Sequence, residues 1–371
     1  MRYNAAMSFL TDSLVAILTL YISFTNTLAL QITDLLEGSS TTETEITLEE
    51  NVVDEDQSLF ATIPSRIRSI PDLLQNNAAY QQAAVTAATD QSEPTTTDPL
   101  DAIVNIFCTF RTNEFIKTTT GTGFFIDADG VIMTNAHVAQ FLLLAGADDS
   151  NNAECIVRNG NPASPKYTAS LLYIPPAWLQ ENASVLNDSV PMGTGERDYA
   201  LLYVNASLDG SLLPASFPAL PFNSELLSTG SKNSNVVAAG YPAGALLLQG
   251  SAVDLIPRSA ETTISELYTF GSNRADVFSI RGSVVGAEGA SGGPVLNDSG
   301  DVIGMISTRG DDSTDGAGSL RAITLSHVHR TILEETGFGL EDSLGGNLAL
   351  RSQIFEETLT PFLVRILENA E

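Results

Sequence analysis

The chain of 371 residues is poor in basic side chains. It has 17 lysines and arginines against 45 aspartates and glutamates, which gives a formal net charge of −28 at pH 7. Nucleic acid and anionic membrane surfaces would be repelled by such a charge, so we expect neither as a partner. The charge favours solubility and says nothing about a reaction.

Histidine and cysteine are also scarce, which narrows the chemistry that the chain can perform. There are three histidines, His137, His327 and His329, and two cysteines, Cys108 and Cys155. His327 and His329 open a predicted helix without the nearby carboxylate or thiol partners that a metal site requires. We therefore interpret these two as ordinary helix-start residues, and we expect no metal site and no cofactor.

The N-terminal apolar run, from Leu14 to Phe24, is short for a membrane span. Arg2 precedes the run, and Thr27-Leu-Ala29 offers small residues for cleavage, so residues 1–30 are typical of an export signal. The alternative is an uncleaved anchor that continues through Leu30 and tethers the protein to a membrane. Both interpretations predict an extracytoplasmic protein, whether secreted, periplasmic or anchored by its N-terminus.

Residues 31–100 differ in composition from the rest of the chain, being rich in Thr, Ser, Glu, Asp, Gln and Ala. Such a segment is typical of a spacer. A helix with a thin apolar face is predicted from Pro71 to Ala88. We interpret the segment as an acidic tether, with a partner-binding role as the alternative.

The glycine-rich stretch 286–304 carries a candidate nucleophile, Ser291. A serine hydroxyl becomes reactive only where a base takes its proton and backbone N–H groups receive the oxyanion. Gly289 and Gly292 permit the sharp bend that would bring the N–H groups of Gly289 and Ser291 to a substrate carbonyl. Taken alone, the stretch is equally consistent with a simple turn between two strands.

The same residues also fit the G-x-S-x-G elbow of α/β-hydrolases, which must open a helix. Here Pro294, a turn at 297–300 and the strand-like residues 302–306 follow the serine. This pattern predicts a hairpin, so the elbow does not fit. An esterase of that class would need the order Ser291, a later acid such as Asp315, and then His327.

A base and an acid for the serine are found upstream. His137 follows a predicted strand, an Asp-Ala-Asp-Gly turn and a second strand, in a short turn that presents its imidazole. Asp198 stands at the mouth of the apolar strand 199–204, where a carboxylate needs a partner. For a single aspartate, a solvated strand edge would be the ordinary interpretation.

Three segments together, Thr134-Asn-Ala-His137, Asp198-Tyr-Ala-Leu-Leu202 and Gly289-Ala-Ser-Gly-Gly-Pro294, resemble the chymotrypsin-like serine proteases. The resemblance is closest to bacterial trypsin-like peptidases of the HtrA/Deg group, and it covers about 101–337. It implies that His137 is the general base and then the acid, that Asp198 orients it, and that Ser291 is the nucleophile. Gly289 and Ser291 would supply the oxyanion hole.

The resemblance also implies an all-β fold, a chymotrypsin-like double β-barrel with a C-terminal helix. Barrel 1 is expected at about 101–205 and barrel 2 at about 227–325, followed by an acidic helical tail at 338–371 that Pro361 interrupts. The family's first and fourth strands are neighbours, so Cys108 and Cys155 could form a disulfide. Two buried free thiols are the alternative.

Two departures from better-known members change what we expect. Ala290 occupies the position where zymogen-activated members have an aspartate, so that activation switch should be absent. Only 34 residues follow Gly337, too few for a PDZ domain.

The resemblance places Val285 at the base of the primary pocket and Ser307, Thr308 and Arg309 along its wall. An uncharged base disfavours Lys or Arg in the substrate, because a buried cation would be unpaired. A modest aliphatic residue is expected there. Attraction of an acidic residue by Arg309 is the alternative.

The sequence as a whole predicts an exported serine endopeptidase that acts on protein or peptide substrates. The alternative from another functional class is a catalytically silent barrel that binds peptides or partners. The physiological substrate and the oligomeric state are left open by the sequence.

Overall fold

The structure, a computed structural model, describes residues 60–62, 74–85, 93–111, 116–145, 152–183, 195–244 and 254–368. The predicted export signal at 1–30 lies outside these ranges. Two closed, six-stranded antiparallel β-barrels make up most of the described chain, and helices follow them. The predicted double barrel with a C-terminal helix is therefore confirmed.

The strands are, in chain order, β1 (Ala61–Thr62), β2 (Ile103–Arg111), β3 (Ile116–Asp127), β4 (Val131–Thr134), β5 (Asn152–Asn159), β6 (Ser164–Tyr173), β7 (Ala200–Ser207), β8 (Asn235–Gly240), β9 (Arg258–Thr269), β10 (Val277–Ile280), β11 (Pro294–Leu296), β12 (Val302–Arg309) and β13 (Leu320–Thr324). The helices are α1 (Ala78–Val85), α2 (Pro99–Ala102), α3 (Ala136–Ala139), α4 (Pro176–Asn182), α5 (Asp312–Asp315), α6 (Leu325–Thr336), α7 (Leu340–Leu344), α8 (Leu348–Thr358) and α9 (Thr360–Glu368), with 3₁₀ turns at Gln140–Leu144 and Thr229–Ser231.

Barrel 1 has the strand order β2-β3-β4-β7-β6-β5 and closes between β2 and β5. The turn between β3 and β4 ends at Gly130, whose φ of 93° suits glycine and allows the tight reversal. Cys108 on β2 lies directly opposite Cys155 on β5, and the two form a disulfide. The bridge thus lies across the pair of strands that closes the barrel.

Barrel 2 has the strand order β8-β9-β10-β13-β12-β11, closed by pairing of β11 with β8. Its core consists of apolar side chains from facing strands, among them Ala238, Ile264, Phe278 and Ile306. The long loop between β10 and β11 carries the predicted nucleophile. A backbone hydrogen bond from the N–H of Thr122 to the carbonyl of Ser291 connects that loop to barrel 1.

Part of the segment expected to be a tether is packed against the folded unit. Leu74 and Tyr80 are buried, and the guanidinium of Arg351 lies 5.9 Å from the centre of the Tyr80 ring. Gln81 Nε2 donates to the carbonyl of Thr336 over 2.8 Å. A few large side chains anchor a stretch that is otherwise alanine, asparagine and glutamine, and composition alone therefore predicted a spacer.

The C-terminal helices complete the unit. Thr324 caps α6 by accepting a hydrogen bond from the N–H of His327. The predicted interruption at Pro361 corresponds to a break between α8 and α9, and Leu363 on α9 is fully buried. Ser352 on α8 donates to the carbonyl of Leu171 on β6, so the tail packs on barrel 1. Among the described residues, no helix has the length and apolarity needed to cross a membrane.

Candidate active site

His137 and Asp198 are brought together by the antiparallel pairing of β4 with β7. Thr134 at the end of β4 pairs with Ala200 at the start of β7. The chain leaving β4 therefore lies beside the chain entering β7, although His137 and Asp198 are far apart in sequence. Helix α3 begins directly after β4 and presents His137 at this edge of the barrel.

The carboxylate of Asp198 is buried and receives several donors. Its Oδ2 lies 2.8 Å from His137 Nδ1 and accepts a hydrogen bond of 2.8 Å from Ser307 Oγ, while Oδ1 accepts from the N–H of His137 over 3.0 Å. Asn135 also donates to the main-chain carbonyl of Asp198. A carboxylate against Nδ1 favours the tautomer that carries its proton there, which leaves Nε2 as an acceptor.

Ser291 lies in the loop between β10 and β11, and its hydroxyl donates to the carbonyl of Ser307 over 3.3 Å. Ser307 thus contacts both Ser291, through its carbonyl, and Asp198, through its hydroxyl. In this conformation the hydroxyl proton of Ser291 is directed to Ser307 and not to His137. Hydrogen bonds of this kind are often poorly aligned before substrate binds.

The backbone N–H groups of Gly289 and of Ser291 itself are available to a ligand. Neither the N–H of Gly289 nor that of Ser291 donates a hydrogen bond within the part of the chain that the structure describes. The preceding carbonyls are both held: that of Glu288 accepts from the N–H of Ala243 over 2.6 Å, and that of Ala290 from Gly293 over 2.9 Å. Because the C=O and N–H of a trans peptide point in opposite directions, each of these bonds fixes the direction of the N–H group in the same peptide plane.

The conformation of this turn requires glycine at position 289. Gly289 has a φ of 92°, and a Cβ there would lie 2.6 Å from the carbonyl oxygen of Tyr241.

Residues 121–305 match the family model described as the trypsin-like peptidase domain. The chain carries a trypsin-like peptidase domain. No curated protein sequence matches it significantly.

Among solved structures, the peptidase domain is similar to the Rv3671c protease from M. tuberculosis. The active form of that protease is 20% identical, with 81% of this chain and 95% of that chain covered and a TM-score of 0.39. An inactive serine-to-alanine mutant is 21% identical, with 75% of this chain and 98% of that chain covered and a TM-score of 0.38.

The predicted pocket residues of the peptidase domain occupy contrasting environments. Val285 is fully buried in the core of barrel 2. Arg309 is exposed, 4.0 Å from the carboxylate of Asp312. The Cβ position of Gly286 lies 1.8 Å from the carbonyl oxygen of Gly318, so two backbone segments meet here without room for a side chain.

A buried ion pair fixes the loop that precedes Asp198. Arg197 has a φ of 56°, and its guanidinium pairs with the carboxylate of Glu335 on α6, which also accepts a 2.6 Å hydrogen bond from Tyr173. Burial raises the pKa of Glu335, although the charge of Arg197 lowers it. Helix α6 is thereby linked to Arg197, the residue next to Asp198.

The other two histidines have carboxylate partners, which is contrary to the expectation from the sequence. His327 is buried and lies 3.3 Å from Asp276, which also pairs with Arg330, and His329 lies 2.6 Å from Glu341. Burial lowers the pKa of His327 more than the neighbouring carboxylate raises it. His327 therefore belongs to a structural cluster, and the double-barrel fold excludes the α/β-hydrolase alternative.

Two contributors to the site were not recognised from the sequence. Ser307 was expected only as a pocket wall, but its hydroxyl binds Asp198 from the opposite barrel. Nothing in the sequence singles out Thr122, but it contacts the turn at Ser291 directly. Both contacts join residues more than a hundred positions apart, and no local pattern indicates them.

Proposed function

We propose that the protein is a serine endopeptidase that hydrolyses peptide bonds through His137, Asp198 and Ser291. The observation that supports this best is the hydrogen bond between the Asp198 carboxylate and His137 Nδ1. The available N–H groups of Gly289 and Ser291 add to it. Membership of the trypsin-like peptidase family agrees with it.

In the proposed reaction, His137 Nε2 takes the proton of Ser291 as the serine oxygen attacks the substrate carbonyl carbon. The negative charge that develops on the carbonyl oxygen is received by the N–H groups of Gly289 and Ser291. Asp198 stabilises the imidazolium that forms. His137 then gives its proton to the leaving amine, which leaves an acyl-enzyme on Ser291. A water molecule that loses a proton to His137 attacks this acyl-enzyme, and His137 returns the proton to the oxygen of Ser291 as the product acid leaves.

The substrate preference that we propose is for an uncharged, modest side chain before the cleaved bond. Val285, at the position that the family uses as the pocket base, offers no charge to a substrate cation. The close approach of Gly286 to Gly318 supports a narrow pocket. Selection of an acidic side chain by the exposed Arg309 is the competing outcome, and peptide-library profiling distinguishes the two.

We also propose that the protein acts outside the cytoplasm, on protein or peptide substrates. The disulfide between Cys108 and Cys155 supports this, because such bonds form and persist in oxidising compartments. Fractionation of cells that express the full chain, followed by N-terminal sequencing, would test both export and cleavage near Ala29.

A second candidate is a catalytically silent barrel that binds peptides. The hydrogen bond from Ser291 to Ser307, rather than to His137, favours it. Hydrolysis of casein by the purified mature chain decides between the two candidates. Loss of hydrolysis in both Ser291→Ala and His137→Ala is expected for the peptidase, whereas a folded wild-type protein that binds casein and leaves it intact would support the binding module.

A further inference from the structure

Thr122 on β3 is fully buried and contacts the nucleophile turn through both its side chain and its main chain. Its hydroxyl donates to the carbonyl of Gly289 over 2.6 Å and accepts from the N–H of Tyr241 over 2.9 Å. Its own N–H donates to the carbonyl of Ser291 over 2.8 Å, and its carbonyl accepts from Thr134 Oγ over 2.7 Å. All of its polar atoms therefore have partners.

The arrangement determines the direction of the hydroxyl proton. The hydroxyl has one proton, and because Tyr241 N–H is a donor, that proton is directed to the carbonyl of Gly289. The peptide plane between Gly289 and Ala290 is thereby fixed from barrel 1. The plane on the other side of Gly289 is fixed separately, since the N–H of Ala243 binds the carbonyl of Glu288.

Both contacts are needed because glycine has little steric preference of its own. The Gly289–Ala290 plane lies between the planes that carry the N–H groups of Gly289 and Ser291, so its orientation sets the angle between these two donors. The hydroxyl of Thr122 holds one plane, and the Ala243 contact holds the other. The main-chain bond from Thr122 to the carbonyl of Ser291 holds the next peptide plane, the one that follows the Ser291 N–H group.

We propose that Thr122 is a positioning residue for the oxyanion hole, holding the donor groups of Gly289 and Ser291 in place from the opposite barrel. This inference rests on the proposed peptidase function. It predicts that the Thr122 hydroxyl acts on the chemical step and not on substrate binding, because Thr122 is fully buried.

The test compares Thr122→Val, which keeps the shape and removes the hydroxyl, with Thr122→Ser, which keeps the hydroxyl. Complete loss of one oxyanion donor lowers kcat by about 10²–10³. Since misorientation is milder than loss, we expect Thr122→Val to lower kcat by about 10- to 100-fold, with KM changed less than about 3-fold. Thr122→Ser should recover most of the rate.

The rates are measured by steady-state hydrolysis of p-nitrophenyl acetate and by the rate of labelling with a fluorophosphonate, whose phosphoryl oxygen enters the same hole. Thr336→Val is the matched control, because Thr336 is also fully buried and its hydroxyl bonds the carbonyl of Ile332 at the end of α6. That variant should lose stability and keep kcat. If Thr122→Val does not fold, Thr122→Ala is compared with Thr122→Ser in the same assays.

Three results would overturn the inference alone: a folded Thr122→Val protein with kcat within threefold of wild type, a Thr122→Ser protein as slow as Thr122→Val, or an equal loss of kcat in Thr336→Val. A wild-type protein that reacts with neither reagent would overturn the proposed function, and the inference with it. The pH dependence of the labelling rate should be the same in Thr122→Val and wild type, because the variant leaves His137 and Asp198 unchanged.

Discussion

Removal of the bridge between Cys108 and Cys155 should cost the protein much of its stability. The two residues are 47 positions apart, and the bridge closes this loop in the unfolded chain. The chain-entropy relation for a loop of this length gives about 4 kcal/mol in the free energy of unfolding. Since folded domains are typically stable by about 5–15 kcal/mol, the loss should be large and easy to measure.

The assay is equilibrium unfolding in urea of wild type and the double variant Cys108→Ala/Cys155→Ala. The chain has one tryptophan, Trp178, which is buried on α4 and reports the unfolding of barrel 1 by fluorescence. Wild type in the presence of a reductant should approach the double variant, whereas the double variant should not respond to the reductant. Equal unfolding free energies for oxidised wild type and the double variant would show that the bridge does not stabilise the fold.

Three further predictions concern the charged groups around the site. Asp198→Asn should fold normally and lower kcat by about 10⁴, because the amide favours the wrong tautomer of His137, and a loss below tenfold would identify the wrong carboxylate. Arg197→Met should destabilise the fold by about 3–5 kcal/mol, since it leaves Glu335 buried without its cation, and a loss below 1 kcal/mol in urea unfolding would contradict the structural role of the pair. Burial lowers the pKa of His327, so the unfolded chain binds its proton first and stability should fall as the pH drops below about 6.5. His327→Asn should be less stable at pH 7.5 but should lose less on going to pH 5.5, and an unchanged pH dependence would count against His327 as the titrating group.

The fold was predicted through the resemblance to the chymotrypsin-like proteases, and local patterns agree with it where they were strong. The strand patterns at 199–204 and 302–306 correspond to β7 and β12, and the Asp-Ala-Asp-Gly turn before His137 forms the hairpin between β3 and β4. The candidate site followed from scarcity and order, since one histidine, one well-placed aspartate and one serine between glycines matched the family's motifs. The structure brings His137 and Asp198 into hydrogen-bond contact.

Other features depend on contacts between distant positions. The hydroxyls of Ser307 and Thr122 bind partners 109 and 167 residues away, and Arg197 pairs with Glu335 across 138 residues. None of these pairs has a periodicity or spacing that a single sequence would show. The packing of 74–85 was missed for a related reason, because the few large anchoring side chains, such as Tyr80, are separated by alanine, asparagine and glutamine.

The most direct test of the proposed function is covalent labelling of the mature chain by a fluorophosphonate, with the modified residue identified by mass spectrometry of peptides. We expect one adduct, on Ser291, that is absent in Ser291→Ala and strongly reduced in His137→Ala. Labelling of the folded wild type at another serine, or none at all, would contradict the assignment of Ser291 as the nucleophile of a serine peptidase.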